Sequence, residues 1–165
     1  MHSQETPSWP EAQKRIPENQ AVQPEGARPM VFSRTTLEAL IAFLDLAPDV
    51  LLVLDPAGSL VMVTTQVETL FGYTQNELVG QPLELLLPEG LRAAHVAWRT
   101  KYVQQGHPHP RPMGRGLNLV ARRKDGSAFP ADISLQPILL EHTLHVMAAV
   151  RDITIQHELL HASRG

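Results

Sequence analysis

The 165-residue chain contains no cysteine. Disulfides, thiolate metal sites, thiol nucleophiles and cysteinyl-flavin photochemistry are therefore excluded. Aromatic residues are scarce, at 5%, which argues against a stacking platform for single-stranded nucleic acid. Positive charge is not in excess: 14 Lys+Arg stand against 17 Asp+Glu, a formal net charge of −3. A sequence-independent nucleic-acid binder needs a basic surface to release counterions, so no nucleic-acid partner is expected. No apolar run approaches the length of a membrane span, and residues 1–20 lack the apolar block of a secretory signal. A soluble, cytoplasmic protein with no membrane partner is the expectation. What is present is 43% apolar residues, enough for a core and, at this length, for one domain with tails.

Composition divides the chain into three parts. Residues 1–32 are rich in Pro, Gln and Glu, with isolated apolar residues and prolines at 7, 10, 17, 24 and 29. Such a segment cannot bury enough surface to offset its ordering entropy, so a disordered tail is expected. Residues 33–152 read as the ordered domain. Leu37, Leu40, Ile41 and Leu44 recur at helical spacing, with Ser33 or Thr35 as cap and Pro48 beyond the end. Val50–Asp55 and Leu60–Thr64 flank Pro56-Ala57-Gly58-Ser59 and read as a hairpin. Thr65–Phe71 is a short helix stopped by Gly72, and Thr74 with Glu77 has the form of a capping box. A longer helix runs from Pro88-Glu89 to about Gln105. Its inward stripe is Leu91, His95, Trp98 and Tyr102, with Arg92, Arg99 and Lys101 falling elsewhere. Gly116–Ala121, Ala128–Gln136 and Leu144–Arg151 are strand-like, the first two joined by a turn at Lys124-Asp125-Gly126-Ser127. Residues 153–165 turn helical again. The expected architecture is α+β, a five-stranded antiparallel sheet with short helices gathered on one face.

Several motifs in this order resemble the PAS domain family. They are Leu51–Asp55 with Gly58, Leu70-Phe71-Gly72-Tyr73, Glu77-Leu78-Val79-Gly80 and Leu85–Pro88. They continue through Arg122–Ser127, Phe129-Pro130 and Val150-Arg151-Asp152-Ile153-Thr154. The resemblance covers roughly residues 34 to 155. Thr64 stands where many members carry Asn, and its hydroxyl can still cap the following helix. The resemblance implies a PAS fold with a small pocket between sheet and helices. It also implies a sensory role in signal transduction, such as a two-component system, and homodimers. The Asp152-Ile153-Thr154 stretch commonly leads into a connector helix. No kinase or cyclase motif is present, so an enzyme is not expected. Output would pass to a separate protein or domain, such as a histidine kinase or diguanylate cyclase.

Part of the chain is similar to oxygen-sensing haem PAS domains, which carry a histidine on the long helix as ligand to haem iron. The run Leu91-Arg92-Ala93-Ala94-His95 places His95 there, and Met113 and Arg115 fall on the distal methionine and arginine of that group. The implied cofactor is haem b, with His95 as its metal ligand. Trp98, Ile133, Leu135, Met147 and Ala149 are then expected to line the pocket. The chemistry is coherent. A neutral imidazole holds iron, a thioether can fill the sixth site, and a guanidinium can donate a hydrogen bond. The bland alternatives are a core histidine with a backbone partner, a gap-filling Met113 and a solvated Arg115. They correspond to a PAS module without cofactor that works by dimerisation or protein binding. A remote third reading is a zinc peptidase, from His157-Glu158-Leu159-Leu160-His161 as H-E-x-x-H with Glu158 as base, but no third ligand is evident.

Overall fold

A computed structural model describes residues 29–104, 111–113 (backbone only) and 119–163. Of the expected disordered tail, residues 1–28 lie outside the described residues. Its last part is not a tail: Met30–Phe32 forms a short strand, β1.

Helix α1 (Arg34–Leu44) starts where the sequence places it. The Ser33 hydroxyl accepts from the Thr36 amide at 3.1 Å, satisfying one of the first-turn donors. Strands β2 (Val50–Leu54) and β3 (Leu60–Val63) form the expected hairpin. Helices α2 (Val67–Phe71) and α3 (Gln75–Leu78) follow. The capping box closes in both directions: the Thr74 amide donates to Glu77 at 2.8 Å, and the Glu77 amide donates to Thr74 Oγ1 at 3.2 Å. Thr64 does not cap α2. Its hydroxyl accepts from the Leu51 amide at 3.0 Å and continues the β2–β3 pairing, because the residue is fully buried between the strands. Two 3₁₀ turns, Leu83–Leu86 and Glu89–Leu91, lead into α4 (Arg92–Gln104). Strands β4 (Arg111–Met113), β5 (Val120–Arg122), β6 (Ala128–Leu140) and β7 (Thr143–Asp152) complete the sheet, and α5 (Thr154–Ala162) leaves it. Among the described residues no helix is long and apolar enough to cross a membrane.

The main strand order is β1-β6-β7-β2-β3. The α+β architecture is the expected one, but the sheet is mixed. β1 pairs with β6 in parallel, Val31 opposite Leu139. β6 runs four residues past the expected Gln136 to Leu140, and that extension supplies the edge that β1 occupies. The same side of β6 also takes β4 and β5, both antiparallel. Three short strands thus satisfy one long edge that would otherwise expose unpaired amides and carbonyls.

The helices do not all gather on one face. Leu37 and Ile41 of α1 pack with Val53, Met62, Ile138 and Leu140 on one side of the sheet. Val50, Leu52, Leu54, Ala148 and Val150 face the other side, against Phe71, Leu78 and Leu86 of the short helices. Successive residues of a strand point to opposite faces, so β2 is apolar throughout because both its faces are covered.

The β6–β7 turn is strained. Glu141 and His142 hold φ of 48° and 66°, the left-handed region in which a Cβ is unfavourable. A two-residue hairpin loop of this kind favours Asn-Gly. Glu141→Asn with His142→Gly is expected to raise unfolding free energy by about 1–2 kcal/mol, read as a higher urea midpoint at unchanged slope. A lower midpoint would show that side-chain contacts at the turn outweigh the strain.

Candidate functional site

The concave side of the sheet encloses an apolar cavity of about 80 Å³. Leu52 and Leu54 of β2, Ile133 and Leu135 of β6, and Val146, Ala148 and Val150 of β7 form its sheet wall. Register explains the set: Leu135 and Leu52 both stand opposite Ala148, and Ile133 and Val50 both stand opposite Val150. Opposed residues share a face, so one parity of each strand lines the cavity. Phe71, Leu86, Trp98 and Tyr102 close the helical side, Trp98 stacking on Tyr102 at 5.6 Å between centroids.

Among the described lining residues the acidic and basic ones are Asp55, His95 and Arg99, and the last two share one partner. His95 is buried on α4, and its Nδ1 lies 2.9 Å from Glu84 Oε1. Glu84 comes from the 3₁₀ turn Leu83–Leu86 and is only 6% exposed. Arg99, one helical turn beyond His95, donates Nε to the same carboxylate oxygen at 3.1 Å. Its Nη1 donates to the Ala57 carbonyl in the β2–β3 turn at 2.6 Å. The guanidinium lies over Gly58, whose φ of +85° and missing side chain leave the room, since a Cβ there would collide with it. A single chain of hydrogen bonds thus joins cavity, helix and hairpin.

The charge states follow from these contacts. Burial pushes the Glu84 carboxyl up, but hydrogen bonds from His95, its own backbone and Arg99, with the Arg99 charge, more than offset this and hold it below its ordinary value. Glu84 is therefore an anion and a pure acceptor, so His95 Nδ1 carries the hydrogen and donates it. Burial lowers the His95 pKa; Glu84 raises it and Arg99 lowers it, and the net direction is down. The ring is neutral, with Nε2 as the nitrogen that keeps a free lone pair.

Both directions make the fold sensitive to acid. A histidine whose folded pKa is depressed contributes fully above its unfolded value of 6.5, and the contribution falls as pH drops below that value. Glu84 then loses its contribution as pH falls below 4.5. The urea midpoint is expected to decrease between about pH 7.5 and about pH 5.5, with a smaller decrease in His95→Gln. Equal decreases in both proteins would assign the acid sensitivity elsewhere.

The residues singled out from sequence are distributed as follows. His95, Trp98, Ile133 and Leu135 line the cavity together. Met147 does not, and neither does Ala149. Met147 stands opposite Val53 and Gln136 and packs on the α1 side of the sheet. Its neighbours Val146 and Ala148 take the inward positions, because successive residues alternate and Met147 shares its parity with His145 and Arg151. Met113 ends β4, its backbone opposite Ile133; Arg115 lies outside the described residues. Arg99, placed outside the inward stripe, faces inward, since a residue four beyond His95 shares its side of the helix. Glu84 was not singled out; its one signal is a lone acid within Leu83–Leu87. Among the described residues no group of three or more His, Cys, Asp or Glu could hold a metal ion, so His157 and His161 have no third ligand there.

The exit from the sheet is also fixed. Asp152 Oδ1 accepts from the Thr154 amide at 2.8 Å at the start of α5, while its Oδ2 takes Arg123 Nη2 at 2.9 Å. Arg123 further donates to the Leu70 carbonyl at 3.1 Å and covers the Phe129 ring at 4.3 Å. α5 is thus anchored to the wall that carries Phe71 and Phe129.

Comparison with known proteins agrees with this fold. Residues 48–154 match the family described as PAS domain. The sensor protein FixL of Bradyrhizobium diazoefficiens is 30% identical over 142 residues, 79% of this chain and 28% of that protein. The oxygen sensor protein DosP of Escherichia coli strain K12 is 30% identical over 89 residues, 54% of this chain and 11% of that protein. The chain therefore spans under a third of the length of either relative. The crystal structure of the PAS domain of a Colwellia psychrerythraea protein superposes with a TM-score of 0.59 at 22% identity, covering 72% of this chain and 98% of that one.

Proposed function

This chain belongs to the PAS domain family and has its fold, and from that premise we propose that it is a haem-based gas or redox sensor holding haem b through His95. PAS domains of this kind are sensory modules in signalling. The observation that carries the haem reading is the His95–Glu84 contact at the wall of an apolar cavity. A metal-bound histidine commonly donates its other ring nitrogen to a carboxylate, which selects the tautomer and strengthens the ligand. Haem, when bound, supplies an iron centre that takes a diatomic gas or changes oxidation state. Glu84 holds Nδ1–H and leaves Nε2 for the iron. The aliphatic wall from β2, β6 and β7 excludes water. By the resemblance to oxygen-sensing haem PAS domains, Met113 would offer a thioether to the iron and Arg115 a guanidinium to its bound ligand. The relatives named a sensor protein and an oxygen sensor protein support a sensory role, the second of them with oxygen as the signal.

Holding haem would call on both sides of this cavity: His95, Trp98 and Tyr102 of α4 and the aliphatic wall of the sheet. The signal would then leave through Arg123, Asp152 and α5 to a separate histidine kinase or cyclase, in a cytoplasmic homodimer.

The exposed Ile155, Leu159 and Leu160 on α5 favour a second reading, a cofactor-free module that works by dimerisation or protein binding. One experiment separates the two. Protein expressed with added haem is expected to show a Soret band at one haem per chain. Colourless protein, with no Soret shift when haem is titrated in, would overturn the haem reading and leave the second.

A further inference from the structure

We propose that His157 and His161 form a two-imidazole site for a borderline divalent cation, Zn²⁺ or Ni²⁺, that clips α5. The two residues are four apart on a nine-residue helix, so their side chains stand over one another. Their ring centroids are 4.6 Å apart, in edge-to-face contact with 60° between planes. Two imidazoles bound side by side to one ion, with metal–nitrogen bonds of about 2.0–2.1 Å, place their centroids about 4.5 Å apart at a right angle and about 5.2 Å apart at the tetrahedral angle. The rings therefore already stand near chelating separation, and rotation about χ1 and χ2 would aim one nitrogen of each at the ion.

The donor set selects the cation. Two neutral nitrogens without a carboxylate favour zinc, nickel or copper over magnesium or calcium, which require oxygen. The same set excludes hydrolysis. A catalytic zinc holds three protein ligands, and among the described residues no third stands near. Water fills the remaining positions.

Placement gives the site its consequence. At 100° per residue, the His157–His161 face lies roughly opposite the exposed Ile155 and Leu159. The metal therefore leaves Ile155 and Leu159 open to a partner helix, while Leu160, about 60° from His157, borders the metal face. An ion that joins one turn of α5 opposes fraying of the segment that leaves the domain, and so favours the helical form that offers the apolar stripe. This site is independent of the cavity and of what the cavity holds.

The full chain is titrated with ZnCl₂ and separately with NiCl₂, reading stoichiometry by calorimetry and helix content by circular dichroism at neutral pH. His157→Gln and His161→Gln are titrated alongside, with a His107→Gln/His109→Gln control that removes the two histidines flanking Pro108. The expected result is one ion per chain with a gain in helix signal. Binding should be at least about tenfold weaker in either α5 variant, from the loss of one of two ligands, and unchanged in the control. Unchanged binding in His161→Gln, loss of binding in the control instead, or no gain in helix signal would each overturn the proposal.

Discussion

His95→Ala protein, expressed with added haem, is expected to emerge without a Soret band while keeping the far-ultraviolet spectrum of the parent. Loss of an outer partner of a metal-bound histidine typically weakens binding 10–100-fold, so removal of the ligand itself should weaken it by about 100-fold or more. The alanine also leaves space where the ring stood, and imidazole in solution can enter that space and supply a nitrogen. Partial return of the Soret band on adding imidazole is therefore expected, and would separate a lost ligand from a damaged fold. Glu84→Gln should retain haem more weakly than the parent, because an amide oxygen still accepts from Nδ1 but carries no charge. An undiminished Soret band in His95→Ala would give the ligand role to another residue.

The second large effect concerns stability. Glu84→Ala is expected to cost about 3–5 kcal/mol, because Arg99 and His95 stay buried after losing their shared acceptor. The pair itself is not a large net stabiliser, since burying both ions carries a desolvation cost that their attraction roughly offsets. The loss should therefore be recovered by removing the other charge. Glu84→Leu combined with Arg99→Met replaces the pair by apolar groups of similar length and is expected to lie within about 1 kcal/mol of the parent. Urea unfolding of the two single variants and the double variant gives the coupling directly. Equal destabilisation in the double variant and in Glu84→Leu alone would show that Arg99 does not depend on Glu84. Gly58→Ala probes the same network from the hairpin. Its Cβ would displace the Arg99 guanidinium from the Ala57 carbonyl while leaving the Glu84 carboxyl in place.

Local chemistry carried much of the fold into the sequence. Ser33 and the Thr74–Glu77 box act within three residues of themselves, so they were readable as helix starts and formed as such. The hairpins around Gly58 and Gly126 were readable for the same reason: both glycines sit at positive φ within tight turns. The inward stripe of α4 was readable from its spacing, apart from Arg99, whose charge suggests solvent although its position shares the face of His95. Glu84 was hidden because an acid in an apolar run says nothing about which partners will reach it. They come from eleven and fifteen residues away, on a different element.

The sequence by itself determined the class of domain, the order of its helices and of its strands other than β1 and β4, and the histidine that reaches the cavity. Each of these depends on neighbours within one or two turns of chain. Tertiary structure alone decided which parity of β7 faces inward, and so that Ala148 rather than Met147 lines the cavity. It also decided that β1 joins the sheet in parallel and that Glu84 and Arg99 meet at His95. The physical reason is common to all three. Both parities of β7 carry apolar residues between His145 and Arg151, so which of them line the cavity is set by pairing with strands far along the chain. A buried charge, likewise, is placed by the partners that the completed fold brings to it.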